Sequence, residues 1–210
     1  MRMSNRFTIL RHGESEANKK RILAGRTLTP PPSLTNLGFD QASEAGDQYA
    51  SDRSSIKRVD LFVSTLLRTR QTAANFAARL GVAGIAIDRI IYDERLEEYD
   101  AGSFTGRPTA FFKNTLNWHE ECPDAETMSA FAGRIALAFT NIIEHYDSLE
   151  QDSGLVVVGH AGTVRVIRAI ENHISPDDIY GPNTLMVPNA GLNDIDVEML
   201  RNNLEDYIDK

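Results

Sequence analysis

The sequence predicts an α/β protein, a three-layer sandwich with a mostly parallel central sheet and helices on both faces. A continuous apolar run, rich in β-branched residues, covers residues 155–158 and is typical of a strand buried on both faces. Short runs of this kind alternate along the chain with longer segments of helical periodicity, which is the pattern of α/β folds. Two of the runs lead into His12-Gly13 and Gly159-His160. Because ligands bind at the carboxyl ends of strands in open α/β sheets, both places are candidates for a functional site.

The composition limits the partners that the protein can have. The chain has 210 residues, with 22 Lys and Arg against 30 Asp and Glu, and a net charge of -8. A field of this sign repels nucleic acid and anionic membranes, so an anion site has to be a local cationic pocket. No apolar run reaches membrane or signal-peptide length, and the single cysteine, Cys122, cannot form an internal disulfide. We expect one domain over residues 1–210, in the cytoplasm, with no nucleic-acid or membrane partner.

The first part of the chain predicts a strand, a short helix, a loop and a longer helix. Residues 6–11 are rich in strand formers, and Ser15 is a suitable N-cap for a short helix that reaches residue 21. Three consecutive prolines make residues 29–33 a loop. Apolar and small residues at helical spacing then predict a helix over residues 38–51.

The middle of the chain continues the alternation. Residues 59–64 predict a second strand, followed by a helix through Leu80 that Gly81 is expected to end. A third strand is expected within residues 85–91. The segment 107–130 contains aromatic residues and prolines with patchy periodicity, and we interpret it as a helical cover over the site.

The last part of the chain predicts two helices and an edge strand. A long apolar stripe indicates a helix over residues 127–146, and a second helix is expected over 163–173, after the second buried strand. Ile195, Val197 and Met199 alternate with acidic residues, which predicts a half-exposed edge strand. Such an edge could pair with a second copy of the chain, so a homodimer is one possibility.

The strand ends assemble a group of cations and histidines. If the strands before His12 and His160 are parallel neighbours, the two histidines meet at one edge of the sheet. Arg68 falls on the first turn of the helix after the strand that ends at Ser64, so its guanidinium can reach the same edge. Together with Arg11, the sequence therefore predicts a site of two arginines and two histidines.

Five blocks of the sequence resemble the signatures of the histidine phosphatase superfamily, the phosphoglycerate mutase-like fold. The blocks occur in the family's order and extend over roughly residues 6–192. The resemblance implies that fold and a phosphoryl-transfer activity of the phosphatase branch. The matching residues are Arg11-His12-Gly13-Glu14-Ser15 with Asn18, Leu34-Thr35 with Gly38, Ser64-Thr65-Leu66-Leu67-Arg68 with Gln71-Thr72-Ala73, Leu96 and Glu98 with Gly102 and Gly106, and Gly159-His160-Ala161-Gly162 with Arg165.

The residue types also fit phosphoryl transfer on chemical grounds. A phosphoryl group needs fixed cations and donors around its equatorial oxygens and a nucleophile in line with the leaving oxygen. The guanidinium groups of Arg11 and Arg68 suit bidentate phosphate contact, and His160 adds a donor. His12 would attack phosphorus and form a phosphohistidine that water hydrolyses. We expect the nearby cations to lower the pKa of His12 in the empty site.

The proton donor is assigned through the resemblance. In the family, the carboxyl four residues before the first glycine of the acidic segment donates the proton, which implies Glu98 as general acid. Glu97 is the adjacent rival, and only the resemblance separates the two.

Further phosphate donors are expected from side chains and from backbone. Asn18 matches an asparagine that the family uses on phosphate, and the N–H groups of Ala161 and Gly162 would lie at a helix N-terminus. Ala24 falls where mutases of the superfamily usually carry Ser or Thr, so Thr27 could supply that donor instead.

Other conspicuous residues have structural interpretations. We expect Arg70 and Arg95 to be surface or ion-pairing residues, Arg165 to pair on its own helix, and Arg134 to be a packing partner. The remaining expectations are solvent-facing positions for His119, His145 and His173, and an inert thiol at Cys122.

Three functions remain open from the sequence. The main hypothesis is a metal-independent, cofactor-free phosphomonoesterase that acts on a small phosphorylated metabolite. The second is a phosphomutase; residues 108–133 contain no arginine and a single lysine, Lys113, which disfavours it, because mutases of the family tend to carry extra arginines there. The third is a silent phospho-ligand sensor, which the presence of all the expected catalytic residues disfavours.

Overall fold

The computed structural model describes residues 5–110, 122, 124–180 and 186–208. The strands are β1 (Arg6–Arg11), β2 (Arg58–Val63), β3 (Ala86–Tyr92), β4 (Ser153–Gly159) and β5 (Leu192–Asp196). The helices are α1 (Glu16–Lys19), α2 (Asn36–Asp52), α3 (Leu67–Val82), α4 (Met128–Ser148), α5 (Ala161–Glu171), α6 (Val197–Asn203) and α7 (Glu205–Ile208). Short 3-10 turns cover Glu94–Leu96, Gly102–Phe104 and Pro176–Asp178.

The five strands form one sheet in the order β3-β2-β4-β1-β5. The first four are parallel to one another, and β5 runs antiparallel to β1. The central strand β4 is buried along its whole length, as its continuous apolar run predicts. The α/β class and the mostly parallel sheet are therefore confirmed.

Helices cover both faces of the sheet and produce two cores. On one face, α2 and α3 pack against side chains such as Leu61 and Val156. On the other face, α4 and α5 pack against Ile9 and Val157, with α4 contributing its apolar stripe. This alternation of neighbouring strand residues between two cores gives the expected three-layer sandwich. None of the helices in the described ranges is long and apolar enough to span a membrane.

Among the predicted boundaries that are wrong by one or two residues are those of α3 and α5. Gly81 does not end α3, which continues to Val82; the chain turns at Gly84, whose φ of +80° is the left-handed conformation that a glycine adopts without strain. The helix after β4 begins at Ala161, two residues earlier than expected, and ends at Glu171.

The expected edge strand over residues 195–199 is only partly right. Strand β5 occupies the sheet edge, but it ends at Asp196, and Val197 and Met199 belong to α6. The Asp196 carboxylate accepts hydrogen bonds from the N–H groups of Glu198 and Met199, so it caps the helix. The alternation of apolar and acidic residues continues from β5 into α6 by coincidence.

The interpretation of His145 as solvent-facing is wrong. Its Nε2 lies 2.6 Å from a carboxylate oxygen of Asp60, a buried residue of β2, and its ring packs edge-on against Phe62. The last turns of α4 lie over the sheet, so a polar residue on this helix is held by a polar residue of the strand beneath it.

Half of the predicted cover falls outside the described residues. Residues 111–121 and 123, which include His119 and most of the aromatic residues of the segment, belong to the part that is not described. Among the described residues of the segment, Pro108 forms an isolated bridge with Ile22. Cys122, which lies between the two parts that are not described, is a buried free thiol.

Candidate active site

The carboxyl ends of β1 and β4 place the two histidines side by side. Arg11 is in register with Gly159, and the backbone N–H of His12 donates to the Gly159 carbonyl over 3.0 Å. The centroids of the imidazole rings of His12 and His160 are 5.3 Å apart. The predicted meeting of the two histidines is thus what the parallel pairing produces.

The glycine after His12 is required by a close approach of two backbone segments. A Cβ atom on Gly13 would lie 2.2 Å from the carbonyl oxygen of Gly38 in α2. The Gly13 N–H donates to Thr72 Oγ1 over 3.1 Å. The segment after β1 is therefore held between α2 and α3, which fixes the position of His12.

The His12 ring has a defined hydrogen-bond arrangement. The side chain is buried, and Nδ1 lies 2.7 Å from the carbonyl oxygen of Gly13. A carbonyl only accepts, so Nδ1 carries the proton and Nε2 keeps its lone pair. Burial lowers the pKa of His12 well below its ordinary value, and the charges of Arg68 and Arg11 lower it further. The expected depression of this pKa is confirmed, with burial as its largest cause.

Arg68 stands between the two histidines. Its Nε donates to His12 Nε2 over 3.3 Å, one terminal nitrogen contacts His160 Nδ1 at 3.3 Å, and the same nitrogen donates to the Gly25 carbonyl over 2.9 Å. Burial lowers the pKa of Arg68 to about 10, with the charge of Glu98 opposing this shift. Arg68 is therefore a fixed cation at neutral pH, as phosphate binding requires.

Arg11 is a second cation at the same edge of the sheet. One terminal nitrogen donates to the Val187 carbonyl, whereas its Nε is buried and has no hydrogen-bond partner within the described residues. Burial lowers the pKa of Arg11, and the charge of Glu98 opposes this. A buried donor without a partner is costly, and an anion in the site would satisfy it.

His160 has different partners from His12. It is fully buried, with Nδ1 facing Arg68 and Nε2 lying 2.8 Å from the hydroxyl oxygen of Ser64. Because a guanidinium only donates, Nδ1 accepts and the proton lies on Nε2, which donates to Ser64. Burial lowers the pKa of His160 well below its ordinary value, and Arg68, His12 and Arg11 add to the effect.

The surroundings separate the two rival carboxylates. Glu98 accepts from the backbone N–H of Gly162 at the start of α5 over 3.4 Å, next to His160, and from the N–H of Tyr99 over 3.1 Å. Glu97 instead forms an ion pair with Arg26 at 3.0 Å and accepts a hydrogen bond from Thr65. The geometry therefore favours Glu98 as the carboxyl beside the histidines.

A glycine and an arginine hold the Glu98 segment in place. A Cβ atom on Gly162 would lie 2.2 Å from a Glu98 carboxylate oxygen, so a side chain at this position would displace the carboxylate. Arg134 donates to the backbone carbonyls of Glu97 and Glu98 over 2.7 Å and 3.0 Å and pairs with Glu126 at 2.6 Å. Arg134, which was expected to be a packing partner, therefore has the structural role of holding the backbone at Glu98.

Asn18 lies in α1 and is linked to the His12 segment through Asn189. Its Oδ1 accepts from the Ser15 N–H over 3.1 Å and from Asn189 Nδ2 over 3.3 Å. The amide nitrogen of Asn18 has no hydrogen bond within the described part of the chain and can donate to a ligand.

The other expected phosphate donors differ in whether they already have a hydrogen-bond partner. The Ala161 N–H is the first of α5 and has no hydrogen bond among the described residues, whereas that of Gly162 is directed to Glu98. The Thr27 hydroxyl is hydrogen-bonded to Thr105 at 3.1 Å and to Asp100 at 3.5 Å. The described hydrogen bonds of the Thr27 hydroxyl are thus with the segment after Glu98 and not with the histidines.

Two site residues were not singled out in the sequence. Asn189 donates to the His12 carbonyl over 3.2 Å as well as to Asn18, and no sequence signal identifies it, because it lies in a loop far along the chain. Ser64 was part of a matching block, but its contact with His160 depends on β2 and β4 being neighbours.

The arginines with structural interpretations have aromatic or carboxylate partners. Arg70 is exposed and lies over the Tyr92 ring at 5.5 Å, and Arg95 pairs with Asp93 at 2.6 Å. Arg165 lies 5.0 Å above the ring of Tyr180, so it contacts a residue beyond α5 in addition to any partner on its own helix. Within the described ranges, no group of three or more His, Cys, Asp or Glu side chains could hold a metal ion.

The family assignment follows from the match to the model of the histidine phosphatase superfamily (branch 1), which extends over residues 7–210. The chain belongs to this superfamily, and two of its relatives are named as phosphatases. The expected resemblance is thereby confirmed.

Two relatives and one solved structure illustrate the range of similar proteins. Fructose-2,6-bisphosphatase TIGAR of Xenopus tropicalis is 35% identical over 107 residues, and the alignment covers 51% of this chain and only 36% of that protein. The protein named "Putative phosphoserine phosphatase 2" of Hydrogenobacter thermophilus is 27% identical over 205 residues, covering 92% and 90% of the two chains. Phosphoserine phosphatase of Entamoeba histolytica, solved with 3-phosphoglyceric acid, superimposes with a TM-score of 0.66 at 18% identity, over 90% of this chain and 89% of that one. This last similarity shows the fold alone.

Proposed function

We propose that the protein hydrolyses small phosphorylated metabolites through a phosphohistidine on His12, without a metal ion. One observation carries the proposal: the lone pair of the unprotonated His12 Nε2 accepts a hydrogen bond from a fixed guanidinium, that of Arg68, over 3.3 Å. A nucleophile that already contacts a phosphate-binding cation is arranged to attack a phosphorus atom held by that cation.

The first half of the reaction transfers the phosphoryl group. Arg68, Arg11 and Asn18 hold the phosphate oxygens, and His160 faces them across the site. The Nε2 of His12 forms a bond to phosphorus while the bond to the leaving oxygen breaks, and the protonated carboxyl of Glu98 gives that oxygen its proton and becomes a carboxylate. The carbonyl of Gly13 accepts a hydrogen bond from Nδ1 and stabilises the charge that the imidazole acquires.

The second half regenerates the enzyme. The Glu98 carboxylate takes a proton from a water molecule, whose oxygen attacks phosphorus as the bond to His12 breaks. Inorganic phosphate leaves, and both side chains return to their initial states. The depressed pKa of His12 keeps Nε2 unprotonated before each turnover.

The substrate class is part of the proposal. Several relatives are named for phosphatases of small molecules, a sugar bisphosphate and an amino-acid phosphate among them. The net charge of -8 disfavours nucleic-acid substrates. The free thiol of Cys122 is compatible with a cytoplasmic enzyme.

A phosphomutase is the second candidate, because a phosphoglycerate mutase of Azorhizobium caulinodans is also a relative. In that reaction the phosphohistidine passes its phosphoryl group to a second substrate hydroxyl and not to water. The absence of arginine in residues 108–133 favours hydrolysis.

Hydrolysis of an aryl phosphate and of a panel of sugar, glycerate and amino-acid phosphates, with a chelator present, tests the proposal. We expect phosphate release that the chelator does not change. Loss of activity with the chelator would contradict the metal-free mechanism, and transfer between hydroxyls without release would favour the mutase.

A further inference from the structure

A second cavity lies at the opposite end of the sheet from the two histidines. Its volume is about 450 Å³, and its walls come from the first residues of β1 and β4, from the end of α2 and from Asp194 of β5. The histidines follow the carboxyl ends of β1 and β4, whereas this cavity lies at the amino ends of the same strands. Because a strand rises about 3.3 Å per residue, the path from Ser153 to His160 separates the two places by roughly 20 Å. A molecule in this cavity would therefore not touch the reacting groups.

Two buried hydroxyl groups that line the cavity have no hydrogen-bond partner within the described residues. They belong to Tyr49, which is 2% exposed, and to Ser153, which is 9% exposed. The Tyr49 hydroxyl packs so closely on β4 that a Cβ atom on Gly154 would lie 2.3 Å from it. Burial raises the pKa of Tyr49 to about 12, so the hydroxyl keeps its proton at neutral pH and can donate. Since buried polar groups are normally hydrogen-bonded, both hydroxyls are placed to be satisfied by a ligand.

Arg53 adds fixed donors to the same cavity. One terminal nitrogen donates to the Thr8 hydroxyl over 3.1 Å and pairs with Asp194, and the guanidinium carbon lies 4.4 Å from the centroid of the Tyr49 ring. These contacts hold the guanidinium in one orientation. Its Nε and its other terminal nitrogen form no hydrogen bond in the described part of the chain, so they can donate to a ligand.

The charges around the cavity cancel. Among the lining residues, Arg6 and Arg53 are the two cations, and Asp52 and Asp194 are the two anions. An anionic ligand would approach two carboxylates, and a cationic ligand would approach two guanidinium groups. Like charges brought together at a binding site are costly. The cavity therefore favours an uncharged ligand that both donates and accepts hydrogen bonds.

Apolar side chains line the cavity beside these polar groups. Phe7 and Leu155 come from the strands, and Ile56 follows α2. A sugar ring has a matching surface, because its hydroxyl groups project from a ring whose faces carry C–H groups. We propose that the cavity binds an uncharged saccharide, with the Tyr49 and Ser153 hydroxyls and the Arg53 guanidinium as its hydrogen-bonding groups. The volume lies within the range of small-molecule pockets and accommodates a mono- or disaccharide.

Titrations followed by two-dimensional NMR of the isotope-labelled protein test where the ligand binds. The probes are D-glucose and trehalose, each added to about 100 mM so that a millimolar dissociation constant is measurable. We expect saturable shifts of the backbone amides of Thr8, Arg53 and Gly154, and none at His12 or His160. Inorganic phosphate and L-serine are the charged comparison probes, and neither should shift the amides of the cavity.

Removing one hydroxyl tests the role of Tyr49. Tyr49→Phe keeps the ring, and we expect it to raise the dissociation constant of the saccharide about threefold to tenfold, the effect of one lost hydrogen bond. The melting temperature without saccharide should not fall, because the hydroxyl has no partner among the described residues. A hydroxyl that only stabilised the fold would give the opposite pair of results. Ser153→Ala should weaken binding in the same way.

Tyr92→Phe is the matched control, since Tyr92 is 52% exposed on β3 and is not among the residues that line the cavity. It should bind both saccharides as the wild type does. Failure of both saccharides to shift the cavity amides would overturn the proposal, as would shifts that do not saturate or wild-type binding by Tyr49→Phe and Ser153→Ala. Tighter binding of L-serine or of phosphate in this cavity would also overturn it, because the ligand would then be charged. Since binding is measured and not turnover, each of these failures leaves the proposed function untouched.

Discussion

His12 and His160 each follow a parallel strand and stand beside a glycine, yet their imidazoles have different partners. The Nδ1 of His12 donates to the carbonyl of the next residue, so its Nε2 is unprotonated and accepts a hydrogen bond from Arg68. The Nδ1 of His160 faces Arg68, and its Nε2 contacts the hydroxyl of Ser64. A hydroxyl both donates and accepts, whereas a carbonyl only accepts.

The difference suggests distinct roles for two similar segments. The His12 arrangement holds a single tautomer, which suits a nucleophile. The His160 arrangement permits either tautomer, so this ring can accept from Arg68 in the empty site and donate from Nδ1 when a phosphate is present. The following experiments test this contrast, from the largest expected effect to the smallest.

Replacing the proposed nucleophile should abolish turnover. For His12→Gln we expect a loss of about 10⁴-fold or more in kcat and no acid-labile phosphoenzyme, since no other group can take the place of Nε2. Hydrolysis of an aryl phosphate and trapping with labelled substrate measure the two effects. His173→Gln, an exposed histidine in a loop, should behave as the wild type. If the His12→Gln variant retained the label, His12 would not be the nucleophile.

Replacing the proposed proton donor should slow turnover without preventing binding. For Glu98→Gln we expect a fall of about 10² to 10⁴ in kcat for substrates with poor leaving groups, while phosphate still binds. The neighbouring variant Glu97→Gln is the matched control and should have a much smaller effect, because Glu97 is paired with Arg26. Equal losses of kcat in the two variants would show that the contacts of Glu98 do not select it over Glu97 as the proton donor.

Removing the Ser64 hydroxyl should affect His160 alone. For Ser64→Ala we expect a decrease of about tenfold in kcat/KM, because Nε2 of a buried ring loses its partner. The nitrogen chemical shifts of His160 should change and those of His12 should not. Ser64→Thr, which keeps a hydroxyl, should restore both. Unchanged His160 signals in Ser64→Ala would contradict the proposed tautomer exchange.

The depressed pKa values of both histidines predict how stability depends on pH. Folded and unfolded chains are both neutral at these sites above the ordinary value of 6.5. Below it the unfolded chain binds protons that the folded chain does not, so the free energy of unfolding falls with decreasing pH, by at most about 1.4 kcal/mol per pH unit for each histidine. Thermal unfolding between neutral and mildly acidic pH measures this. In His12→Gln the slope should be smaller, and an unchanged slope would contradict the shift.

Much of the fold could be predicted because its signals are local. The apolar run before Gly159 indicates a buried strand wherever it lies, and the stripe of α4 indicates a helix. The errors occurred where two local patterns overlap, as at Asp196, whose capping carboxylate ends the strand while the alternation continues. His145 was misplaced because its partner, Asp60, lies on a distant strand.

The sequence by itself determined the class of protein, the two arginines and two histidines of the site, and the kind of chemistry that they support. It could do so because residue identity and local backbone preference are properties of short segments. The tertiary structure decided which further residues surround that set. The choice of Glu98 over Glu97, the contact of Ser64 with His160 and the support from Asn189 all join residues far apart in the chain. Such contacts depend on strand order and helix placement, which emerge only when the whole core is packed.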